Sequence, residues 1–473
     1  MGPGIRRDVT DEAEVLAVKL SRFVGIGLLV LLSGYAMFDR GFAYFHVPKT
    51  PLFLGEILLA AGLLMLLVGT PHARAAVAGF PPFALLLVFV LWCAARALPF
   101  VPVAGIDAFR DSSIWYYSFF AVIVVTLLDW RPELLSAVVR WYLAFIPWLF
   151  AAVLLHLVTS SYPNLVPTFF VPDSQISVLI FKPGNLAIQC AIAVGALWLL
   201  PLPDHLARRK WIYSGIGLLL IAAIGTQNRG GMLAALAGVG IVWLFARDRA
   251  RIALVAITLV SVALGTAYIA DLKLSTGGAI GDRAVSVDQL VTNISSLTGS
   301  DSEGSASSRQ LAGTVEWRDE LWHRAIALRD AEGHALDGLG FGRNLGEDLG
   351  FASGDNTELR SPHNSHVDIL VRTGWIGFAF WCALWLAWAL MLLGGRKRYR
   401  PGTVERALIE ICLAGVVAMM INAYFDPSLE SPQVALWLWS LFGLGAWLVA
   451  RARRPVPAPL PAWRSEAPAG TDG

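Results

Sequence analysis

Long apolar stretches separated by short polar segments fill most of this sequence. A helix needs about 20 mostly apolar residues to cross a bilayer, and twelve stretches reach this length. The predicted spans are 19–37, 51–69, 80–99, 111–129, 135–158, 180–200, 211–227, 230–247, 251–271, 365–393, 404–424 and 432–451. No small-residue cleavage site follows the first span, so we expect it to stay in the protein as a membrane helix.

One polar segment is far longer than the others and lies between the ninth and tenth spans. Within it, residues 313–331 place apolar and basic side chains at i, i+3 and i+4, which predicts an amphipathic helix. The predicted fold class is an all-α integral membrane protein with about 12 transmembrane helices and one large, partly helical loop. The predicted regions are helices one to nine (1–271), the loop (272–364), helices ten to twelve (365–451) and a disordered tail (452–473).

Composition agrees with this fold class, and the distribution of charge predicts how the protein is oriented in the membrane. Of 473 residues, 56% are hydrophobic and 15% are charged, which excludes an ordinary soluble domain. Lys and Arg cluster after spans six, eight, ten and twelve, and loops rich in these residues stay in the cytoplasm. We therefore expect both termini in the cytoplasm and the large loop on the outer side. The four cysteines all lie in predicted spans, so neither a disulfide framework nor a zinc site is indicated.

Several basic residues lie near the predicted outer ends of spans, where Lys and Arg are normally depleted. They are Arg96, Arg110, Lys182, Arg229 and Arg372. Basic side chains at membrane depth usually face a cavity and pair with a negative group. Two interpretations stay open for them: an anionic ligand, or pairing within the protein to Asp107, Asp111 or Asp368.

Arg229 is the most informative of these cations, because Gln227-Asn228-Arg229-Gly230-Gly231 forms a very short turn between spans seven and eight. Glycines after the arginine allow close approach of a ligand, and the amides that begin the next helix add positive potential. A phosphate fits such a turn. A tight hairpin that needs polar and Gly residues is the alternative.

Two further motifs lie in the large loop. Arg318 and Trp322 are one helical turn apart, so a guanidinium beside an indole could hold a diphosphate or stack a sugar, or the two could simply pack as helix neighbours. Gly338, Gly340 and Gly342 alternate in the segment 337–343. That segment lacks the strand and helix of a nucleotide-binding loop, so we interpret it as tight turning near the membrane.

Histidines mark the point where the loop returns to the bilayer. His363 could abstract a proton from an acceptor hydroxyl, since an imidazole titrates near neutrality, with Asn364 or Asp368 orienting it. His366 competes for this role. A metal site built from these histidines with Asp355 or Asp368 lacks a recognised ligand spacing, so we expect no metal.

Together these features resemble the O-antigen ligase and O-antigen polymerase superfamily of bacterial membrane glycosyltransferases. The resemblance covers roughly residues 225–377. It rests on Asn228-Arg229-Gly230, on Arg318 and Trp322 followed by the glycine repeat, and on His363-Asn364 with Gly374 and Gly377.

The resemblance implies a GT-C-type protein of the bacterial inner membrane whose large loop is periplasmic. Its expected activity is the transfer of a glycan from undecaprenyl diphosphate to an acceptor hydroxyl, in the biosynthesis of lipopolysaccharide or another surface polysaccharide. His363 is then expected to be the catalytic base, and Arg229 and Arg318 to bind the diphosphate. Further candidate substrate contacts are Trp322, Asn364, His366, Arg372, Lys182 and Arg110.

The expected partners are the lipid-linked glycan donor, lipid A core or another glycan as acceptor, and the lipid bilayer. No nucleic acid, cofactor or metal is expected. A polymerase that extends a lipid-linked glycan, or a relative that glycosylates protein, shares the same motifs. The alternative of another class is an anion or solute transporter, although transporters usually bind near the midplane on broken helices of repeated halves.

Overall fold

The computed structural model of the chain is a bundle of membrane helices with part of the large loop packed on one end. It describes residues 3–47, 52–68, 77–162, 166, 179–252, 274–275, 284–285, 306–351 and 359–453. The last predicted region, the tail 452–473, therefore lies almost entirely outside the described residues.

Helices dominate the described parts of the chain. The α-helices are α1 (Pro3–Ala43), α2 (Leu54–Val68), α3 (Pro82–Ala97), α4 (Val101–Ala104), α5 (Ile106–Asp111), α6 (Ser113–Tyr116), α7 (Phe119–Trp130), α8 (Leu134–Ser161), α9 (Pro183–Leu199), α10 (Asp204–Gln227), α11 (Arg229–Phe245), α12 (Ala306–Ala331), α13 (Leu345–Asp348), α14 (Ser365–Gly395), α15 (Val404–Phe425) and α16 (Pro432–Arg451). Short 3₁₀ turns cover Leu98–Phe100, Arg396–Arg398 and Ser428–Glu430. Two short antiparallel strands, β1 (Leu274–Ser275) and β2 (Ala284–Val285), lie in the large loop.

Seven helical segments in the described part of the chain are long and apolar enough to cross a membrane. They are Val18–Ala43, Pro82–Ala104, Ser113–Trp130, Leu134–Ser160, Ser365–Arg398, Val404–Phe425 and Pro432–Arg451. Helices α2, α9 and α11 are apolar but shorter. The chain is thus a helical multi-pass membrane protein, as predicted. The count of twelve stays a prediction, because the predicted span at 211–227, in α10, belongs to neither group and the span at 251–271 lies almost wholly outside the described residues.

The bundle is densest where α9, α11 and α15 meet. Small residues at the contacts allow this close approach, which is the usual packing device of membrane helices. A Cβ added to Gly231 of α11 would lie 2.3 Å from the Cα of Gly184 on α9. The starts of these two helices are therefore held side by side, which matters for the site described below.

The large loop contributes α12, so the helix predicted at 313–331 is confirmed. The glycine repeat joins this part of the loop to α14. Gly338, Gly340 and Gly342 have φ values of 78°, 81° and 102°, a region that only glycine adopts easily. The amides of Leu339 and Gly340 donate to the carbonyls of Val371 and Arg372, each at 2.9 Å. The interpretation as tight turning beside the membrane helices is therefore confirmed.

Candidate functional site

His363 lies in the short connection that leads from the loop into α14. Its φ is 53°, a left-handed conformation that costs a non-glycine residue about 1–3 kcal/mol and is often found at functional sites. The following residue, Asn364, is fully buried and caps α14: its side-chain oxygen accepts from the amides of His366 at 2.9 Å and Val367 at 3.1 Å. Asn364 therefore fixes where the helix begins, and with it the position of His363.

The imidazole of His363 is half-buried beside aromatic rings and charges. The ring of Trp317 meets it edge-on with centroids 5.8 Å apart. Burial lowers the pKa of His363 to about 4, with Asp426 acting in the opposite direction and Lys182 and Arg318 adding to the lowering. No described residue hydrogen-bonds to the ring. A neutral imidazole with uncommitted nitrogens can accept a proton at neutral pH.

Lys182 and Asp426 form an ion pair whose two charges act on this histidine. The Lys182 ammonium donates to both carboxylate oxygens of Asp426 at 2.9 Å, and the side chains are 23% and 20% exposed. The Lys182 backbone is fixed as well, because its amide donates to the buried Asp39 in the bend of α1. Asn185 donates to the other oxygen of Asp39 at 2.8 Å. A positive side chain is thus held at the start of α9, accessible and close to His363.

Helix α12 brings two more of the predicted residues to the same place. The indole of Trp322 donates to the carbonyl of Pro362 at 2.7 Å, and its ring meets Tyr424 edge-on at 5.3 Å. Arg318 lies one turn earlier on α12, half-buried, and its charge acts on His363. Trp322 therefore docks α12 against the histidine connection and directs Arg318 towards it.

Arg229 begins α11 beside the same helix ends. Asn228 caps the helix, with its side-chain oxygen accepting from the Gly231 amide at 2.7 Å. The next residue, Gly230, packs so closely on Phe425 that an added Cβ would lie 2.6 Å from it. Since Phe425 directly precedes Asp426, the short turn carrying Arg229 lies against the connection that carries Asp426. The ends of α9, α11, α14 and α15 converge here.

His366 has a different environment from His363. Its Nε2 lies 2.9 Å from the Met420 carbonyl, and its Nδ1 accepts from the Trp381 indole at 3.2 Å. An indole only donates, so Nδ1 is the acceptor and Nε2 carries the proton. Nε2 therefore joins α14 to α15, and Nδ1 is engaged by a side chain of α14 itself. Between the two histidines, the geometry therefore favours His363 as the proton acceptor.

Arg372 and Arg110 are not part of this cluster. The Arg372 side chain is 1% exposed and binds Asp368 at 2.8 Å and Asp111 at 3.1 Å. Arg110 is 67% exposed and lies 3.7 Å from Asp107. For these two cations the structure shows the second alternative considered above, pairing with the protein's own carboxylates. Arg372 is enclosed by protein, which leaves no surface for a direct substrate contact.

Arg372 belongs to a network of charges that we call the loop joint, made of Asp107, Asp111, Arg360, Asp368, Arg372 and Glu430. Asp111, Asp368 and Arg372 are buried in it, while Asp107 at its edge is 37% exposed. Arg360 binds Asp107 at 3.1 Å and Asp111 at 3.2 Å, so it ties the large loop to α5. Asp111 also accepts from the Gly342 amide at 2.9 Å. Burial raises the pKa of Glu430 well above its usual range, with Asp368 adding to the rise. The joint holds the loop on the bundle.

Sequence reasoning missed Asp426, Asp39 and Glu430. Each is a single acid beside or within an apolar span, and an isolated carboxylate has no spacing pattern that would reveal its partner. The available signal was that charged residues at membrane depth are rare and usually paired. In the described part of the chain, no group of three His, Cys, Asp or Glu side chains is placed to hold a metal ion.

Comparison with known proteins gives one family match. The family model described as O-antigen ligase matches residues 215–382. This segment contains Arg229, Arg318 and His363, and extends from α10 into α14. No curated protein shows a significant match to the chain.

Proposed function

Through residues 215–382 the chain belongs to the O-antigen ligase superfamily, and from this premise we propose that it transfers a glycan from undecaprenyl diphosphate to an acceptor hydroxyl at the periplasmic face of the bacterial inner membrane. The family match supports ligase or polymerase activity in polysaccharide assembly by a multi-pass membrane protein. The lipid-linked donor, the ligase reaction and the orientation in the membrane are parts of our proposal.

The observation that carries the proposal is the placement of His363 among fixed positive charges at joined helix ends. Lys182 and Arg318 are close enough to act on the His363 pKa, and Arg229 begins a helix that packs on the same connection. A site at the bilayer edge suits a donor whose lipid stays in the membrane while its glycan stays in water. Fixed cations also suit a reaction in which negative charge develops on a leaving diphosphate.

In the proposed reaction the acceptor oxygen forms a bond to the anomeric carbon of the donor sugar. The bond between that carbon and the diphosphate oxygen breaks, and the diphosphate leaves with the electron pair. His363 takes the proton of the acceptor hydroxyl, and its imidazolium is stabilised by Asp426, the charge that favours its protonated form. Arg229 and Arg318, with Lys182, neutralise the leaving diphosphate.

Transfer by the purified protein in nanodiscs tests this proposal. The protein is offered an undecaprenyl diphosphate glycan with either lipid A core or a second lipid-linked glycan. Product on lipid A core identifies a ligase, and a longer lipid-linked glycan identifies a polymerase. His363→Ala should abolish either product. His205→Ala, an exposed histidine at the start of α10, is the matched control and should remain active. Absence of product with every acceptor would favour transport.

A further inference from the structure

A cavity lies at the opposite end of the bundle from His363. It has a volume of about 400 Å³, which is within the range typical of ligand sites, about 300–1,000 Å³. Helices α1, α7, α8, α9, α15 and α16 line it. On α15 the lining residues are Leu408, Ile411 and Cys412, and Ile411 lies about 20 Å along the helix from Phe425 at the site. The two locations are therefore separate.

The cavity opens towards the bilayer between α1 and α8. Ile26 on α1 is 61% exposed although it lines the cavity, and Ala137 on α8 is also exposed. Deeper lining residues such as Leu28, Leu135 and Val139 are buried. An opening of this kind admits a chain from the lipid phase rather than a solute from water.

Two arginines mark one end of the opening. Arg22 on α1 is exposed, and Arg131 follows directly after α7. Arg131 pairs with Glu133 at 3.0 Å, but the carboxylate is 54% exposed, and surface pairs of this type contribute little. Two guanidinium groups at the edge of an apolar cavity are complementary to a phosphate at the level of lipid headgroups.

Two residues that line the cavity carry hydroxyl groups without hydrogen-bond partners in the described part of the chain. The hydroxyls of Tyr142 and Ser440 are buried and have no hydrogen-bond partner among the described residues. Ser440 is only 8% exposed. A side chain on a helix leans towards the helix start, so the Tyr142 hydroxyl is directed towards the start of α8, which Arg131 precedes. Buried hydroxyls without partners are unfavourable, so a guest oxygen that reaches them, once the neighbouring side chains move aside, would remove this cost.

We propose that this cavity binds an anionic phospholipid from the leaflet on the side away from His363. The phosphate binds Arg22 and Arg131, the ester carbonyls accept from the Tyr142 and Ser440 hydroxyls, and one acyl chain fills the apolar remainder. From the mouth inwards the cavity presents guanidinium groups, then hydroxyl groups, then apolar side chains. A phospholipid presents its phosphate, ester carbonyls and acyl chains in the matching order. Bound in this way, the lipid joins α1 to α8 and supports the bundle independently of the transfer reaction.

Native mass spectrometry of the delipidated full-length protein tests this proposal, with dioleoyl phosphatidylglycerol and dioleoyl phosphatidylcholine as probes. We expect one phosphatidylglycerol to bind at least about tenfold more tightly than phosphatidylcholine, because both lipids carry the phosphate but the choline cation of phosphatidylcholine would lie beside Arg22 and Arg131. Arg22→Gln with Arg131→Gln should remove this preference. Arg140→Gln, an exposed arginine of α8 that does not line the cavity, is the matched control and should keep it.

A second pair of changes tests the depth of the site. Tyr142→Phe with Ser440→Ala removes only the two hydroxyls and should weaken phosphatidylglycerol binding about 3- to 10-fold. His363→Ala should bind the lipid as the parent does, so failure of the transfer proposal leaves this one standing. Equal binding of the two phospholipids would overturn the proposal. So would an equal effect of the Arg140 control, or displacement of phosphatidylglycerol by equimolar undecaprenyl phosphate.

Discussion

Replacement of Arg372 by Gln should release the large loop from the membrane helices. In the parent protein the guanidinium is 1% exposed and binds Asp368 at 2.8 Å and Asp111 at 3.1 Å. It also donates to the backbone carbonyls of Arg343 at 3.3 Å and Arg360 at 3.2 Å, both in the loop. The uncharged glutamine side chain would leave two buried carboxylates without their common cation. Breaking a buried pair in this way costs about 3–5 kcal/mol.

This cost predicts the size of the change. Each 1.4 kcal/mol is a factor of about ten, so the population with an undocked loop should rise at least about 100-fold. Arg329 of α12 reports on docking, because its side chain is 1% exposed and donates to the Leu370 carbonyl of α14 at 3.2 Å. Trypsin can cut after Arg329 only when α12 has opened, and such cleavage follows the open population when reclosing is fast.

The assay is limited proteolysis of the protein in nanodiscs, with the rate of cleavage after Arg329 measured by mass spectrometry. Arg110→Gln is the matched control: that arginine is 67% exposed and its contact with Asp107 is 3.7 Å long, so its removal should cost about 0–1 kcal/mol. Adding Asp368→Asn to Arg372→Gln should restore part of the protection. If Arg372→Gln and the control are cut at the same rate, the loop joint does not hold the loop.

Four further predictions concern the site. Arg318→Ala and Arg229→Ala should each lower the rate of transfer at least about 100-fold while the protein still inserts, as removal of one fixed charge at a developing anion does. Unchanged rates would show that these arginines do not bind the diphosphate. His366→Ala should retain more transfer activity than His363→Ala, because both ring nitrogens of His366 are engaged in hydrogen bonds within the protein. The reverse order in the same assay would identify His366 as the base. With a His363 pKa of about 4, the base is neutral above that pH. The value of kcat/KM should therefore be constant from pH 8 to about 5 and fall tenfold per pH unit below about 4. A fall that begins near pH 6.5 would show that burial does not lower this pKa. Exhaustive chelation should leave transfer unchanged, whereas loss of activity restored by a divalent cation would contradict charge neutralisation by basic side chains alone.

The sequence predicted the helices and the turning segment, because these depend on local patterns. Apolar length located the seven described segments that are long enough to cross a membrane, i and i+4 spacing located α12, and alternating glycines located the turn that meets α14. Pairing could not be predicted in the same way. Lys182 and Arg372 look alike in sequence, as single cations near the predicted outer end of a span, yet one is accessible beside His363 and the other is enclosed by the protein. The difference comes from partners far away in the chain: Asp426 for Lys182 and Asp111 for Arg372.

The loop joint and the candidate site share their structural supports, which explains why charges are buried at such cost. Asp368 and Arg372 lie on the first turns of α14, directly after His363, while Glu430 lies on the same short connection as Asp426. The Ser365 hydroxyl links the two connections, since it accepts from the Leu429 amide at 3.2 Å. The ion pairs of Arg372 with Asp368 and Asp111 therefore hold the start of α14 in place. The distance between the His363 imidazole and the Lys182–Asp426 ion pair is held with it. Because positioning of reacting groups contributes several kcal/mol to catalysis, a buried network that stabilises the fold only weakly can still be favourable for function.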